Sequence, residues 1–202
     1  KDIGFGTGLY KKADYVAVKM PIFSFQKLKN ADTSLGPEMK STGEVLGVAK
    51  HFSEAILKAF IASGVNVVTK GKILVTVNDK DKLEILPIIK NLEKLGYEIY
   101  ATSGTAKYLI ENGVPNVTSV PKIWEGTDSI PDLIHSGKLT LIINTPTKGK
   151  ESNRDGFKIR RLAAESKVPC FTALDTAQGF YDAIAKGLKE EWSQTKGYKL
   201  QQ

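Results

Sequence analysis

The stretch KILVTVNDKDKLEILPIIKNLEKLGYEIYATSGTAKYLIENGV, residues 72–114, decides the fold. An apolar run at 73–77 is followed by an amphipathic stretch at 80–95. The same order then repeats, with an apolar run at 97–100 and a helix-like stretch at 102–112. Apolar strands that alternate with amphipathic helices are typical of a parallel sheet covered by helices on both faces. The residues therefore predict an α/β fold.

The alternation continues toward the end of the chain. The remaining predicted elements are strands at 117–120, 139–143 and 170–172 and helices at 129–135, 156–166 and 176–188. With right-handed crossovers, these elements form a three-layer sandwich around a five-stranded parallel sheet. In such sheets a ligand binds beyond the carboxyl ends of the strands, so the residues that follow each strand are the candidates for a site.

The first 70 residues have no repeating plan. A strand is predicted at 16–18, and a helix is predicted from Ser41 to about Gly64. The apolar stripe of that helix would be Val45, Val48, Phe52, Ile56 and Phe60. Because one strand and one helix cannot bury a core alone, we expect residues 1–64 to be the tail of a larger domain. The helix should then pack on the domain that follows, pair with another copy, or fray.

Composition indicates an ordinary globular chain. Hydrophobic residues make up 41 % and charged residues 25 % of the 202 residues, and the net charge of +7 is spread along the chain. We therefore expect no nucleic-acid partner. No run approaches the roughly 20 apolar residues of a membrane span, and the first residues lack a signal-peptide core, so we expect no membrane association. The one cysteine, Cys170, lies in the apolar stretch VPCF, which predicts a buried structural thiol and a cytoplasmic protein.

The turn after the second predicted strand of this sheet combines features that suit a phosphate. Thr102, Ser103 and Thr105 supply hydroxyls, Gly104 is flexible, and the start of a helix supplies free N–H groups. The alternative is that Thr102 or Ser103 only caps the helix. Lys82 stands in the first turn of the preceding helix, where it opposes the helix dipole, and an anionic partner would offset that cost.

Other predicted strand ends carry more cationic and polar groups. Those groups are Lys122 after the third strand of the sheet and Asn144, Thr145, Thr147, Lys148 and Lys150 after the fourth. If these lysines are more than solvated loop residues, they gather with Lys82 at one edge of the sheet and bind an anion there.

Groups able to catalyse a reaction are scarce at that edge. His51 and His135 are expected to be surface or packing histidines, and Asp175 is expected to cap the last helix. No paired carboxylates follow the strands, and no Cys/His cluster indicates a metal. The pattern thus favours a site that holds a phosphate over one that transforms it, with no catalytic residue and no metal.

Longer motifs add a resemblance to a known family. VAVKMPIFSFQKL (16–28) and LGPEMKSTGEVLG (35–47) closely resemble the end of the second ATP-grasp unit of carbamoyl-phosphate synthase large chains. The regulatory domain that follows that unit shares its fold with methylglyoxal synthase. Its usual motifs are similar to KGKILVTVNDKDK (70–82), ATSGTA (101–106), VPKIWEG (120–126) and IINTPTKG (142–149).

The resemblance implies a domain plan and a function. It assigns 1–70 to the ATP-grasp tail, 71–190 to a methylglyoxal-synthase-like allosteric domain, and 191–202 to a C-terminal tail. That domain would bind a pyrimidine or purine nucleotide. The implied contacts are Lys82, Thr102, Ser103, Gly104, Thr105, Lys122, Asn144, Thr145 and Thr147. An ornithine-type site between the domains would use Glu38 and Thr172.

The implied parent enzyme is a ligase. It would make carbamoyl phosphate for pyrimidine and arginine biosynthesis from bicarbonate, ammonia and ATP, with Mg²⁺ or Mn²⁺. A glutamine amidotransferase small chain would deliver the ammonia, and the remainder of the large chain would be the second protein partner. This fragment would bind no cofactor and would be inactive alone. The polar loop TPTKGKESNRDG (145–156), in which Gly156 replaces a hydroxyl residue of the family, leaves the identity of the effector open.

Two other functions remain as alternatives. A phosphate-eliminating lyase of the methylglyoxal synthase type has catalytic carboxylates where Thr127 and Thr145 stand in this chain. Neither threonine can take a proton from a carbon acid at neutral pH, which argues against the lyase. The other alternative is an interaction domain with an unused pocket.

Overall fold

The computed structural model describes residue 8 and residues 12–24, 39–125, 129–146 and 155–186. The strands and helices there, in chain order, are β1 Val16–Ile22, β2 Gly43–Ala49, α1 Phe52–Ala62, β3 Lys72–Thr76, α2 Lys82–Lys94, β4 Glu98–Thr102, α3 Ser103–Glu111, β5 Val117–Val120, α4 Ser129–His135, β6 Leu139–Asn144, α5 Asp155–Glu165, β7 Cys170–Phe171 and α6 Leu174–Ala185. Short 3₁₀ turns lie at Asp79–Asp81 and Ile123–Glu125.

The main sheet has five parallel strands in the order β5-β4-β3-β6-β7. Successive residues of β3 face opposite layers. Ile73 and Val75 pack with α2, α3 and α6, whereas Leu74 packs with α4 and α5. Because both faces of the sheet are buried, its strands are apolar throughout rather than alternating. The predicted three-layer α/β sandwich with a five-stranded parallel sheet is confirmed.

The first part of the chain differs from the prediction. Residues 43–49, expected in a helix, form β2, which pairs antiparallel with β1 in a separate two-stranded sheet. Apolar positions there fit either a helix or a strand, and pairing with β1 decides between them. Gly47 allows β2 to lie against α1, since a Cβ at this position would be 2.0 Å from the carbonyl oxygen of Ala55. The helix starts at Phe52, whose side chain is half exposed.

Helix α1 packs on the sheet domain, which is one of the three outcomes expected for it. Its Phe60 ring lies 5.6 Å from the ring of Phe171 and 5.8 Å from that of Phe180, measured between centroids. Ile56 is buried against α6, where a Cβ at Gly179 would come within 2.6 Å of its Cδ1. The packed rings extend the main core onto α1, while the assignment of residues 1–70 to an ATP-grasp tail remains a prediction.

Apart from the helix predicted from Ser41, the ends of the described elements differ from expectation by at most four residues. β6 runs on to Asn144, so this polar residue ends the strand rather than following it. α6 begins at Leu174 with Ala173 as its N-cap, so Asp175 lies in the first turn and does not cap the helix. Gly113 has a φ of +89°, the left-handed conformation expected of a glycine that ends a helix such as α3.

Cys170 fits the structural role expected of it. It is partly buried on β7, beside the hydrophobic side chains of α4 and α5, and burial raises the pKa of its thiol to about 12. The nearby charge of Arg160 opposes that rise but does not cancel it. A thiol that stays protonated at neutral pH is a poor nucleophile.

No helix within the described part of the chain is long and apolar enough to cross a membrane.

Candidate functional site

A cavity of roughly 340 Å³ opens at the carboxyl edge of the sheet, where the sequence predicts the ligand site. Seven of the nine residues predicted for the effector line it: Lys82, Thr102, Gly104, Thr105, Lys122, Asn144 and Thr145. Ser103 is exposed at the start of α3 and does not line the cavity. Thr147 lies outside the described residues. Side chains that are up to 63 positions apart in the chain (82 to 145) thus meet at the ends of β3, β4, β5 and β6.

Lys82 is held at the wall of the cavity by two polar contacts. Its Nζ lies 2.7 Å from Oδ1 of Asp79 and donates a hydrogen bond to the carbonyl oxygen of Gly104 at 3.0 Å. The ammonium group also lies 5.9 Å from the ring centroid of Tyr108. The lysine expected to sit unfavourably at the start of α2 therefore bridges α2 to α3. Its neighbour Asp79 balances part of its charge.

Two buried hydroxyls lie on the floor of the cavity. Thr102 and Thr105 are 5 % and 2 % exposed, and the Thr102 hydroxyl donates to Oγ1 of Thr105 over 3.4 Å, a long contact. Thr102 is the N-cap residue of α3, but its side chain makes no capping hydrogen bond. Thr102 therefore does not cap α3 with its side chain, and its hydroxyl contacts Thr105 instead.

Gly104 differs from expectation in one respect. It lies in the first turn of α3 and does not take a positive φ. A Cβ added there would meet Lys82 Nζ at 3.7 Å, an ordinary contact distance. Backbone conformation therefore does not require glycine at this position. A side chain at position 104 would, however, approach the Lys82 ammonium group that lines the cavity.

The end of β6 brings a buried amide to the cavity. Asn144 is 2 % exposed, and its Oδ1 accepts a hydrogen bond from Arg160 at 2.6 Å. Thr145 Oγ1 accepts from the backbone N–H of Asn78 at 2.9 Å and so ties β6 to the end of β3. Arg160 was missed in the sequence, because the adjacent Arg160 and Arg161 give no sign of which side chain is buried.

Two carboxylates also line the cavity, whereas the sequence predicted no paired carboxylates at the strand ends. Asp79 comes from the 3₁₀ turn after β3, and Asp155 is the first residue of α5. The hydrogen bond and charge of Lys82 lower the pKa of Asp79, and the charge of Lys122 lowers it further. Lys122 lines the same cavity as the Asp79–Lys82 ion pair.

The ornithine-type residues lie elsewhere. Thr172 does not line this cavity and instead borders a mostly apolar cavity of roughly 540 Å³ between β1, α1 and β7. Glu38 lies outside the described residues, so the pairing of Glu38 with Thr172 remains a prediction.

The histidines occupy the positions expected of surface residues. His51 is the exposed N-cap residue of α1, and His135 ends α4 with its Nδ1 3.3 Å from the Ser166 hydroxyl. Within the described ranges, no group of three or more His, Cys, Asp and Glu side chains could hold a metal ion.

The comparisons with known proteins agree with this fold. Residues 84–172 match the family model of the MGS-like domain. The chain is also similar over almost its whole length to carbamoyl phosphate synthase large chains. It is 50 % identical to that of Lachnoclostridium phytofermentans over 91 % of this chain, and 48 % identical to that of Clostridium botulinum over 94 %. These matches confirm the resemblance to the carbamoyl-phosphate synthase large chain.

The coverage of the relatives is unequal. This chain spans only 17–18 % of the length of these large chains. Among solved structures, methylglyoxal synthase from Elizabethkingia anophelis is 18 % identical, with a TM-score of 0.48. The likeness covers 57 % of this chain and 79 % of that one.

Proposed function

We propose that this chain is the allosteric regulatory region of a carbamoyl-phosphate synthase large chain, and that its cavity binds the phosphate of a pyrimidine or purine nucleotide. The observation that carries the proposal is the gathering of cationic and hydrogen-bonding groups in one cavity at the carboxyl edge of the sheet. Lys82 and Lys122 supply charge, Thr102 and Thr105 supply buried hydroxyls, and Asn144 supplies an amide.

The groups on α3 suit a phosphate in particular. A phosphate seated at the start of this helix would face its free N–H groups, which carry partial positive charge. The hydroxyls of Thr102 and Thr105 make only a long hydrogen bond to each other, so a phosphate oxygen offers them a better acceptor. Asp79 is the competing anion, but its side chain is 91 % exposed and can turn into water when a ligand arrives.

The cavity is large enough for more than an inorganic ion. Ligand sites commonly measure about 300–1,000 Å³, and the roughly 340 Å³ here falls at the lower end of that range. A phosphate with part of an attached sugar fits that volume, and the rest of the nucleotide would extend beyond it.

The remaining parts of the proposal follow from the similarity to the large chains. In that setting the parent enzyme is a cytoplasmic ligase that makes carbamoyl phosphate for pyrimidine and arginine biosynthesis. It uses ATP with Mg²⁺ or Mn²⁺ and ammonia from a glutamine amidotransferase small chain. Residues 1–70 end its second ATP-grasp unit. This chain alone makes no carbamoyl phosphate and responds only to the effector.

Calorimetric titration tests the central part of the proposal. Pyrimidine and purine nucleoside mono-, di- and triphosphates are each added to the protein, with the matching nucleosides as controls. We expect at least one nucleotide to bind and its nucleoside to bind far more weakly, because the phosphate supplies most of the contacts. Absence of heat with every nucleotide would contradict the proposal and favour the interaction domain with an unused pocket.

A phosphate-eliminating lyase is the second candidate, and the carboxylates of Asp79 and Asp155 in the cavity are the observation in its favour. Two features weigh against it. A general base works best when its pKa is near the working pH. Lys82 and Lys122 lower the pKa of the Asp79 carboxyl, which makes it a weaker base. Thr145 stands where the lyase has a carboxylate, and its hydroxyl accepts a hydrogen bond from the backbone N–H of Asn78. Formation of methylglyoxal from dihydroxyacetone phosphate above background would establish the lyase.

A further inference from the structure

A buried arginine lies behind the cavity and contacts one of the residues that line it. Arg160 is on α5 with 7 % of its surface exposed, and its Nη1 is the donor to Asn144 Oδ1 at 2.6 Å. Asn144 lines the cavity, and Arg160 is not among the described residues that do. Any effect of Arg160 on a ligand must therefore pass through Asn144 or through its own charge.

The chemistry of the two groups fixes the orientation of the amide. A guanidinium group carries donors and no acceptor, so the Asn144 atom that faces it must be the oxygen. The amide nitrogen, with its two N–H bonds, is then the atom left for a ligand. We infer that Arg160 is a positioning residue that makes Asn144 present its N–H groups to a bound anion. This inference rests on the proposed function, since it assigns one contact of the phosphate site.

Gly156, in the first turn of α5, lies next to the hydrogen bond between Arg160 and Asn144. A Cβ at Gly156 would lie 3.2 Å from Arg160 Nη1 and 3.5 Å from Asn144 Oδ1. The first distance is tighter than a side chain takes without a shift of its neighbours. Glycine therefore leaves room for the arginine to reach the amide.

The orientation has a direct consequence for selectivity. With the oxygen turned to Arg160, a phosphate would meet N–H groups from Asn144 and ammonium groups from Lys82 and Lys122. With the amide reversed, the oxygen would face the phosphate and repel it. An aspartate at 144 would keep an acceptor for Arg160 but would place its second, charged oxygen against the ligand.

Binding and NMR measurements on matched variants test the inference. The variants are Asn144→Asp and Arg160→Met, with Arg161→Met as control, since Arg161 is the next residue of α5 and pairs with Glu165 at 2.7 Å. The probes are inorganic phosphate and uridine 5′-monophosphate, titrated by calorimetry. In ¹⁵N-labelled native protein, the side-chain amide signals that vanish in Asn144→Asp identify Asn144.

We expect either probe to shift the Asn144 amide signals of the native protein. Asn144→Asp should weaken binding at least tenfold without a lower melting temperature, because its carboxylate can pair with Arg160. Arg160→Met should weaken binding about tenfold and remove the ligand-induced amide shift, whereas Arg161→Met should bind as the native protein does. A purely structural Arg160 would lower the melting temperature but leave the amide shift in place.

The contrary outcomes are separate from failure of the proposed function. Native affinity in Asn144→Asp overturns the inference even where Arg160→Met does not fold. A folded Arg160→Met that keeps both affinity and amide shift overturns it as well. If the native protein binds neither probe, the proposed function fails and the inference fails with it. If the native protein binds and both variants bind equally well, the inference alone fails.

Discussion

Two cavities in the described part of the chain are built from opposite kinds of side chain. The cavity at the carboxyl edge of the sheet gathers lysines, hydroxyls and an amide from four strand ends. The cavity between β1, α1 and β7 is larger, at roughly 540 Å³ against 340 Å³, and it is bordered mainly by aliphatic and aromatic side chains such as Phe60 and Phe171. The first has charged and hydrogen-bonding groups that would suit an anion. The second, called the packing seam below, lies where the N-terminal elements meet the sheet. Substitutions should therefore separate binding from stability.

The largest expected effect is on the packing seam. Phe60→Ala should lower the free energy of unfolding by about 3–5 kcal/mol, the usual cost of emptying a buried aromatic site. Phe60 packs against Phe171 and Phe180, so its loss leaves a cavity in the main core. Urea unfolding measures the change, and phosphate affinity of the folded variant should be unchanged.

The same helix offers a matched control for that variant. Phe52 is half exposed on α1, so Phe52→Ala should cost much less than Phe60→Ala. Equal stabilities of the two variants would mean that α1 is not part of the core in solution. The two cavities could then not be compared as parts of one domain.

The next effect belongs to the polar cavity. Lys122→Ala should weaken nucleotide binding by about 1.5–3 kcal/mol, the range for a hydrogen bond to a charged group. The native affinity should also fall as salt rises, since screening weakens charge attraction. Calorimetry at two salt concentrations measures both effects, and unfolding in urea should change little.

Lys107→Ala is the control for the lost charge. Lys107 is exposed on α3, pairs only loosely with Glu111 at 3.9 Å, and does not line the cavity. The substitution Lys107→Ala removes the same positive charge as Lys122→Ala but changes no residue of the cavity. If the two variants bind a nucleotide equally well, Lys122 is not a ligand contact.

The two cavities also differ in how well the sequence predicts them. The alternation of apolar and amphipathic stretches from residue 72 onward predicted the sheet, because each strand and helix is a local pattern. Strand ends of a parallel sheet share one edge, and that rule alone placed Lys82, Lys122 and Asn144 together. The contribution of Arg160 depends on which of two adjacent side chains is buried, and local pattern carries no information on that.

The N-terminal elements show the limit of local pattern more clearly. Apolar residues at 45 and 48 fit a helix, yet residues 43–49 form β2 because β1 supplies hydrogen-bond partners 21 to 33 positions earlier in the chain. Gly47 was not recognised as the residue that lets the strand approach α1, since its reason lies in a contact with Ala55. Tertiary pairing therefore overrides periodicity where the two disagree.

A smaller effect is expected at the floor of the polar cavity. Thr105→Ala removes one hydroxyl that is 2 % exposed and makes only a long contact with Thr102. The loss in binding should be about 0.5–1.5 kcal/mol for a neutral hydrogen bond and larger if the acceptor is a charged phosphate oxygen. The measurement is the melting temperature with and without nucleotide, because a bound ligand stabilises the fold by mass action. A full nucleotide-induced rise in Thr105→Ala would remove this hydroxyl from the site.

The smallest effect should come from Asp79, and its sign is opposite for binding and for stability. Its carboxylate forms an ion pair with Lys82 at 2.7 Å, so Asp79→Asn should bind inorganic phosphate more tightly, by less than about fivefold for so exposed an ion pair.

The effect on stability depends on pH. Lys82 lowers the pKa of Asp79, so the pair stabilises the fold above the unfolded-state pKa of the carboxyl. That stabilisation is lost as pH falls through the lowered, folded-state pKa. Native protein should thus be slightly more stable than Asp79→Asn at pH 6, and the gap in urea midpoints should close as the pH falls below the lowered pKa of Asp79. Asp81→Asn is the control for loss of a carboxylate, because Asp81 lies two positions further along the same 3₁₀ turn and does not line the cavity. Weaker phosphate binding by Asp79→Asn would show that the carboxylate assists the ligand, for instance by accepting a sugar hydroxyl, and does not compete with it.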